Sequence, residues 1–261
     1  MDGHGTLRLS QSGPVLTVSL NRPEVRNAFN AEMIADLTGV FSGVSARSGV
    51  RVVVLRGEGR SFSAGADINW MRASLDFTTD ENVADAGRMS DMFAAIDDCP
   101  LPVVARVHGA ALGGGMGLIA VCDIVVAEEG TIFGFTEAKL GILPAVISRF
   151  TLPKIGPSWA RALYLTGERF GPDLARLIGL VHWTAAAEDL DQVVESRVND
   201  LLTSGPEAVA AAKTLITECH GLDDADMREV TVRRIAERRA SAEGQEGLRA
   251  FLEKRPATWT E

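Results

Sequence analysis

The sequence predicts an α/β domain in which short, mostly parallel strands alternate with helices. Runs rich in β-branched residues, too short for helices, recur along the first half of the chain, as at residues 51–57. Segments with apolar residues at helical spacing separate these runs, and such alternation is typical of α/β folds. The β-rich pattern fades after about residue 145, so the C-terminal third should be mainly helical.

The predicted strands follow from residue type and from the turns that end them. Residues 15–20 form a β-rich run that stops before Pro23, which cannot continue strand pairing. Residues 51–57 read as a buried strand, followed by the turn residues Gly57 and Gly59. The same reasoning predicts strands at residues 103–107, 123–127 and 131–135.

The predicted helices follow from apolar spacing and from capping residues. Asn30 can cap a first helix whose inner face carries Met33, Ile34 and Leu37. A second helix is expected near residues 83–96, and further helices near 157–166, 172–179, 186–203, 206–219, 223–240 and 243–253. We expect a core over residues 1–200 and a helical C-terminal region over 201–261, without a flexible linker between them.

Composition favours small-molecule or protein partners. The 261 residues carry a formal net charge of -9, which disfavours a nucleic-acid surface because phosphate backbones require a concentrated basic face. A membrane span is not expected, because no run of about 18 apolar residues occurs. Three well-separated cysteines suggest neither a disulfide framework nor a zinc site. With no leader-like segment apparent, a cytoplasmic location is expected.

A glycine cluster at residues 113–115 lies between a predicted strand and an apolar helical run. Glycine allows close approach to the backbone, and the start of a helix presents unpaired N–H groups that can hold an oxygen anion. A tight turn without a ligand explains the cluster equally well. The phosphate-binding patterns GxxxxGK[ST] and GxGxxG are missing, residues 61–65 do not form a GxSxG elbow, and the four histidines lack metal-ligand spacing.

Glu137 is the acid–base candidate, because it lies in an otherwise apolar, glycine-punctuated segment. Burial there would raise the pKa of its carboxyl towards neutrality and let it transfer protons. The alternative is a structural glutamate at a helix start, paired with Lys139 or stabilised by the helix dipole.

Four motifs occur together and in order: FSAGAD from Phe62, HGAALGGGMG from His108, CDIVVA from Cys122 and FTEAKLGILP from Phe135. With the earlier LNRP and RNAF, these resemble the enoyl-CoA hydratase/isomerase (crotonase) superfamily nearly from end to end. The resemblance implies a spiral of ββα units, a helical C-terminal region for trimer formation, often as stacked trimers in a hexamer, and a coenzyme A thioester as the substrate. It implies neither a metal nor a redox cofactor.

The resemblance also implies roles for individual residues. The backbone N–H groups of Ala66 and Gly114 would form an oxyanion hole for the thioester oxygen, with Glu137 as acid/base. Trp70 and Met71 would line the acyl pocket, although core packing explains them as well. The remaining substrate-binding positions implied in this way are Arg26, Ala64, Asp67, Ile68, Gly113, Phe251 and Lys254.

The sequence departs from the family pattern at the position of a second carboxylate. Two-glutamate hydratases carry a glutamate at the position of Gly117, so this chain has one of the two expected carboxylates. The motifs are closest to methylglutaconyl-CoA hydratase-like members, and a branched or glutaconyl-type acyl-CoA hydratase is therefore expected. Candidate partners for a second substrate carboxylate are Arg72, Arg88 and Arg149. The alternatives are a single-glutamate Δ3,Δ2-enoyl-CoA isomerase and a non-catalytic acyl-CoA binder.

Overall fold

The computed structural model describes residues 5–44 and 49–260, which form nine strands in two sheets. The strands are β1 (Leu7–Ser12), β2 (Val15–Leu20), β3 (Val52–Gly57), β4 (Val103–Val107), β5 (Ala110–Leu112), β6 (Ile124–Glu128), β7 (Ile132–Gly134), β8 (Arg169–Phe170) and β9 (Trp183–Ala185). The larger sheet has the order β1-β2-β3-β4-β6-β9 and is parallel except for the β1–β2 pair. The smaller sheet has the order β5-β7-β8.

Helices connect the strands and make up most of the C-terminal third. They are α1 (Ala31–Gly43), α2 (Ile68–Ser74), α3 (Thr79–Asp97), α4 (Gly114–Ala120), α5 (Ala145–Thr166), α6 (Pro172–Leu177), α7 (Leu190–Leu202), α8 (Pro206–Glu218), α9 (Asp224–Ala240) and α10 (Ala242–Glu253). Short 3₁₀ helices lie at Pro23–Val25, Glu137–Leu140 and Thr258–Thr260.

The chain repeats a unit of one strand in the large sheet, one strand in a second layer, and one helix. This is the order of β4-β5-α4 and of β6-β7-α5. Two isolated parallel bridges, Phe29 with Ala66 and Ser63 with Ala111, extend the second layer beyond β5. The mixed α/β architecture and the ββα spiral are therefore confirmed. The second layer brings the loop after β3 beside the glycine cluster at the start of α4.

Both faces of the large sheet are covered, which explains why its strands read as apolar runs. One face packs on the main core, where Phe93 of α3 makes aromatic contacts with Phe29 at 6.3 Å and with Phe150 of α5 at 5.9 Å between ring centroids. The other face carries a smaller cluster that packs against Val194 and Val198 of α7.

The sequence predictions are correct for some elements and miss others. Asn30 caps α1 as predicted by accepting a hydrogen bond from the Met33 N–H. The prediction missed β1, β5, β8 and β9, of which the last three have three residues or fewer, too short to establish a periodicity. The helix predicted at 157–166 begins at Ala145, and Gly156 kinks it with φ 67°. Short strands therefore continue past residue 145.

The boundary expected at residue 200 falls inside α7 and stays a prediction, as do the trimer and hexamer. Arg51, just before β3, donates hydrogen bonds to the carbonyl oxygens of Leu202, Ser204 and Trp259, so the C-terminal helices are tied to the core. No helix within the described ranges has both the length and the apolar character needed to cross a bilayer.

Candidate active site

A partly enclosed cavity and a larger groove meet at the loop that follows β3. The cavity has a volume of about 400 Å³ and is lined mainly by apolar residues. The groove is larger, about 1180 Å³, and runs along the outer side of the same loop. Both are lined by Ala64, Ala66, Met71, Thr136 and Leu140. A ligand could therefore place one end in the cavity and the other in the groove.

Ala66 presents its backbone N–H at this junction. On either side of it, the Phe29 N–H donates to the Gly65 carbonyl at 2.7 Å, and the Asp67 N–H donates to the Phe29 carbonyl at 2.8 Å. This pattern occupies the neighbours of Ala66 and leaves its own N–H without a partner in the described part of the chain. Gly65 has φ 94°, a conformation that favours glycine.

Gly114 presents a second free N–H group, because it is the first residue of α4 and the first N–H groups of a helix have no acceptor within the helix. The preceding residue, Gly113, has φ 50° and donates to the Gly134 carbonyl at 3.0 Å. A side chain at Gly114 would collide with Phe29, since a Cβ atom there would lie 2.8 Å from the ring. The glycine cluster thus allows the backbone to approach the cavity closely.

The Glu137 carboxylate lies beside these two N–H groups, at the start of a 3₁₀ helix. Its Oε1 atom is 3.5 Å from the place a Cβ atom of Gly113 would occupy. Its Oε2 atom is buried and has no hydrogen-bond partner among the described residues. Burial raises the pKa of Glu137 above its ordinary value, and its backbone hydrogen bond offsets this only in part. The carboxylate is therefore available to a ligand.

Gly117 lies at the position where the family resemblance led us to expect a second glutamate, and the structure leaves no room for a glutamate side chain there. A Cβ atom on Gly117 would lie 2.5 Å from Cγ2 of Ile147 and 2.6 Å from Cζ of Phe93. Apolar side chains of α3 and α5 fill this space. The departure from the two-glutamate pattern is thus built into the packing.

Asp67 is buried, and its hydrogen bonds fix the loop that follows β3. Its carboxylate accepts hydrogen bonds from the N–H groups of Asn69 and Trp70, which caps α2, and from the Arg22 guanidinium at 2.7 Å. Burial alone would raise the pKa of Asp67, but these hydrogen bonds outweigh burial and lower the pKa. An ionised Asp67 therefore stabilises the backbone on one side of Ala66.

Of the other sequence-predicted residues, some line the cavity, some line the groove, and two line neither. Ala64, Trp70, Met71 and Gly113 line the cavity, and Trp70 also packs against the core. Arg26, Asp67 and Ile68 line the groove. Phe251 and Lys254, at the end of α10, line neither, and a single chain does not bring them to the site. The binding roles of these residues stay predictions.

Sequence reasoning missed two further groups. Lys139 and Arg169 line the groove together with Arg26, so three cationic side chains border it. Arg169 reaches the groove through β8, which carries no local sequence signal. A stripe along α3 also lines the cavity, and its helical spacing did not reveal it because two of its members are polar. The stripe consists of the polar residues Asn82 and Asp85 and the apolar residues Ala86 and Met89.

This arrangement suits chemistry at a carbonyl group beside a carboxylate. Two fixed N–H donors can stabilise negative charge that develops on a carbonyl oxygen, and a carboxylate of raised pKa can accept and return a proton near neutral pH. The groove can hold a long ligand that continues from that carbonyl.

Comparisons with known proteins agree with this geometry. The family model described as enoyl-CoA hydratase/isomerase matches residues 10–261. The enoyl-CoA hydratase ACTT6 of Alternaria alternata is 37% identical over 214 residues, 82% of this chain and 70% of that protein. A crotonyl-CoA hydratase of Syntrophomonas wolfei is 30% identical over 253 residues, 96% of each protein. The crystal structure of an enoyl-CoA hydratase from Shewanella pealeana has a TM-score of 0.93 at 36% identity and covers 97% of this chain and 96% of that one. The chain belongs to the enoyl-CoA hydratase/isomerase family.

Proposed function

We propose that the protein is an enoyl-CoA hydratase that adds water across the C2–C3 double bond of a 2-enoyl-CoA thioester. One observation carries the proposal: the free N–H groups of Ala66 and Gly114 and the unpartnered oxygen of Glu137 line one cavity, and Ala66 lies at its junction with the groove. A thioester oxygen at this junction would place the acyl group in the cavity and coenzyme A in the groove.

The groove offers binding groups for coenzyme A. Arg26, Lys139 and Arg169 can contact its phosphate groups, because charge-assisted hydrogen bonds from cationic side chains to phosphate are among the stronger polar contacts. The cavity offers apolar contacts to the acyl chain through Trp70 and Met71.

In the forward reaction, Glu137 takes a proton from water as the water oxygen bonds to C3. The π electrons of the C2–C3 bond move towards the thioester, and negative charge develops on its oxygen. The Ala66 and Gly114 N–H groups stabilise this enolate, and losing one such donor typically costs about 100- to 1,000-fold in rate. C2 then takes the proton from Glu137, which yields the 3-hydroxyacyl thioester and restores the carboxylate. The reverse sequence removes water.

A second candidate is Δ3,Δ2-enoyl-CoA isomerisation, and the packing around Gly117 favours it. Because Phe93 and Ile147 fill the space of a second carboxylate, Glu137 would have to hold the water and carry out both proton transfers alone. An isomerase needs one carboxylate only, which removes a proton from C2 and returns it to C4. Branched and glutaconyl-type acyl groups remain expectations that rest on the resemblance alone.

The test is product analysis by mass spectrometry in oxygen-18 water, with 2-enoyl-CoA and 3-enoyl-CoA thioesters as substrates. We expect labelled 3-hydroxyacyl-CoA from the 2-enoyl substrates, and a loss of about 100- to 10,000-fold in Glu137→Gln, the range of general acid–base contributions. Glu188→Gln, an exposed glutamate distant in sequence from the site motifs, is the matched control and should keep full activity.

Three other outcomes would contradict the hydratase proposal or the role of Glu137. Unlabelled 2-enoyl-CoA from the 3-enoyl substrates, with no labelled product, would assign the protein as an isomerase. Tight binding of acyl-CoA without turnover would assign it as a non-catalytic binder. Full hydratase activity in Glu137→Gln would overturn the role of that residue.

A further inference from the structure

One wall of the cavity is formed by α3, whose stripe of cavity-lining residues runs away from the oxyanion hole. Met89 lies beside Gly114, since its Cε atom is 3.0 Å from the place of a Gly114 Cβ atom. Asp85 lies four residues earlier on the same face, about 6 Å further along the helix axis. With the thioester oxygen at Gly114, Asp85 faces the acyl chain beyond its reacting carbons.

The charged residues that line the cavity are carboxylates. Asp85 has a side chain only 13% exposed, while Arg88, which donates to it at 2.6 Å, is 58% exposed and does not line the cavity. Among the described residues that line the cavity, Asp85 and Glu137 are the acidic ones and none is basic. The ligand space therefore holds two carboxylates and no lysine or arginine.

The arginines that the sequence suggested for a second substrate carboxylate are engaged elsewhere. Arg72 donates to the Asn69 side chain at 3.4 Å on the exposed side of α2. Arg149 lies over the Phe150 ring, 5.1 Å from its centroid. Together with the outward position of Arg88, these contacts leave no cation at the cavity wall to receive an acidic acyl group.

A carboxylate on the far end of the acyl chain would meet Asp85 and Glu137 in a partly enclosed space. Like charges brought together at a binding surface cost several kcal/mol, and enclosure strengthens the repulsion. An uncharged chain avoids this cost and gains apolar contacts. We propose that Asp85 is a specificity-determining residue that restricts the acyl group to uncharged chains; this rests on the proposed function for the placement of the thioester.

Binding of saturated thioesters tests the proposal without requiring turnover. Isothermal titration calorimetry would compare pentanoyl-CoA with glutaryl-CoA, which have the same chain length and differ in the terminal carboxylate. We expect the wild-type protein to bind pentanoyl-CoA at least about tenfold more tightly, and Asp85→Asn, which keeps the shape but removes the charge, to narrow the ratio of the two Kd values about fivefold or more.

Arg88→Gln is the matched control, because it removes the ion pair and leaves the carboxylate at the wall. For this variant, the ratio of the Kd for glutaryl-CoA to the Kd for pentanoyl-CoA should stay the same or increase. The proposal is overturned when wild-type protein binds glutaryl-CoA as tightly as pentanoyl-CoA, or when Asp85→Asn leaves the ratio of the two Kd values unchanged. Failure of the hydratase proposal is a separate result, absence of turnover, and leaves these binding ratios measurable.

Discussion

Arg22 and Asp67 form an ion pair of 2.7 Å whose side chains are only 18% and 5% exposed. Arg22 also donates to the Ala28 carbonyl at 2.6 Å, one residue before Phe29, which pairs with the loop. Asp67 in turn caps α2. The pair thus joins the two chain segments that fix the direction of the Ala66 N–H.

Asp67→Ala should therefore reduce activity as well as stability. It removes the cap of α2 and leaves Arg22 without its acidic partner, which together should cost about 2 kcal/mol or more in the free energy of unfolding. We expect kcat to fall roughly 100-fold, the size of the loss of one oxyanion donor. Steady-state kinetics and chemical denaturation measure the two effects.

Asp191→Ala is the control for this prediction, because it breaks the Arg106–Asp191 pair between β4 and α7 and Asp191 is 67% exposed. Its kcat should match that of the wild type. An Asp67→Ala protein that unfolds more easily yet keeps its kcat would show that the ion pair stabilises the fold without positioning the loop.

Arg169→Gln should weaken binding of the coenzyme A portion. We expect KM for acyl-CoA to rise about fivefold, the equivalent of the ~1 kcal/mol of an exposed ion pair, and kcat to change little. An N-acetylcysteamine thioester, which lacks the phosphates, should show the same KM with both proteins. Arg161→Gln on α5, outside the groove lining, is the control. An equal rise in KM for both thioesters would contradict a phosphate contact.

Gly117→Ala and Gly87→Ala should change stability in opposite directions, although both glycines lie inside helices. At Gly117 a methyl group would overlap Ile147 and Phe93, which should cost about 1–3 kcal/mol. At Gly87 on α3 nothing lies within 4 Å of the added atom, and alanine should stabilise the helix by about 0.5–1 kcal/mol. Thermal denaturation of both variants checks the sign. A stabilised Gly117→Ala protein would contradict the packing that excludes a second carboxylate.

Glu137 should also make stability depend on pH. Because burial raises its pKa in the folded state, ionisation is less favourable in the folded than in the unfolded protein. Stability is then full below the unfolded pKa and is lost as pH rises through the raised folded pKa. Glu137→Gln cannot ionise, so it should be more stable than the wild type at pH 8 and equally stable near about pH 4. Denaturation curves of the wild type and Glu137→Gln at the two pH values measure this effect. A difference in the free energy of unfolding that is the same at both pH values would contradict the prediction.

The sequence made some parts of this molecule predictable because their cause is local. The glycines at 113–115 and the cap at Asn30 act through backbone geometry within a few residues, and the ordered motifs identified the family and the fold. The structure places Ala66, Gly114 and Glu137 around one cavity, while their catalytic roles stay predictions.

Other parts were not readable because their cause is tertiary. Asn82 and Asp85 are polar residues that would read as part of a solvent-facing side of α3, and only the position of α3 against α4 and α5 turns them towards a cavity. Arg169 lies in a two-residue strand that shows no period, and it reaches the groove through pairing with β7.

The junction at Ala66 has a consequence for a series of substrates. With the thioester placed as proposed, Ala66 and Gly114 would set the position of its oxygen beside Glu137, and the reacting carbons would be counted from the thioester end. Acyl chains of increasing length would extend further along α3 towards Asn82 while presenting the same two carbons to Glu137. Chain length would therefore alter affinity but leave the regiochemistry of the reaction unchanged.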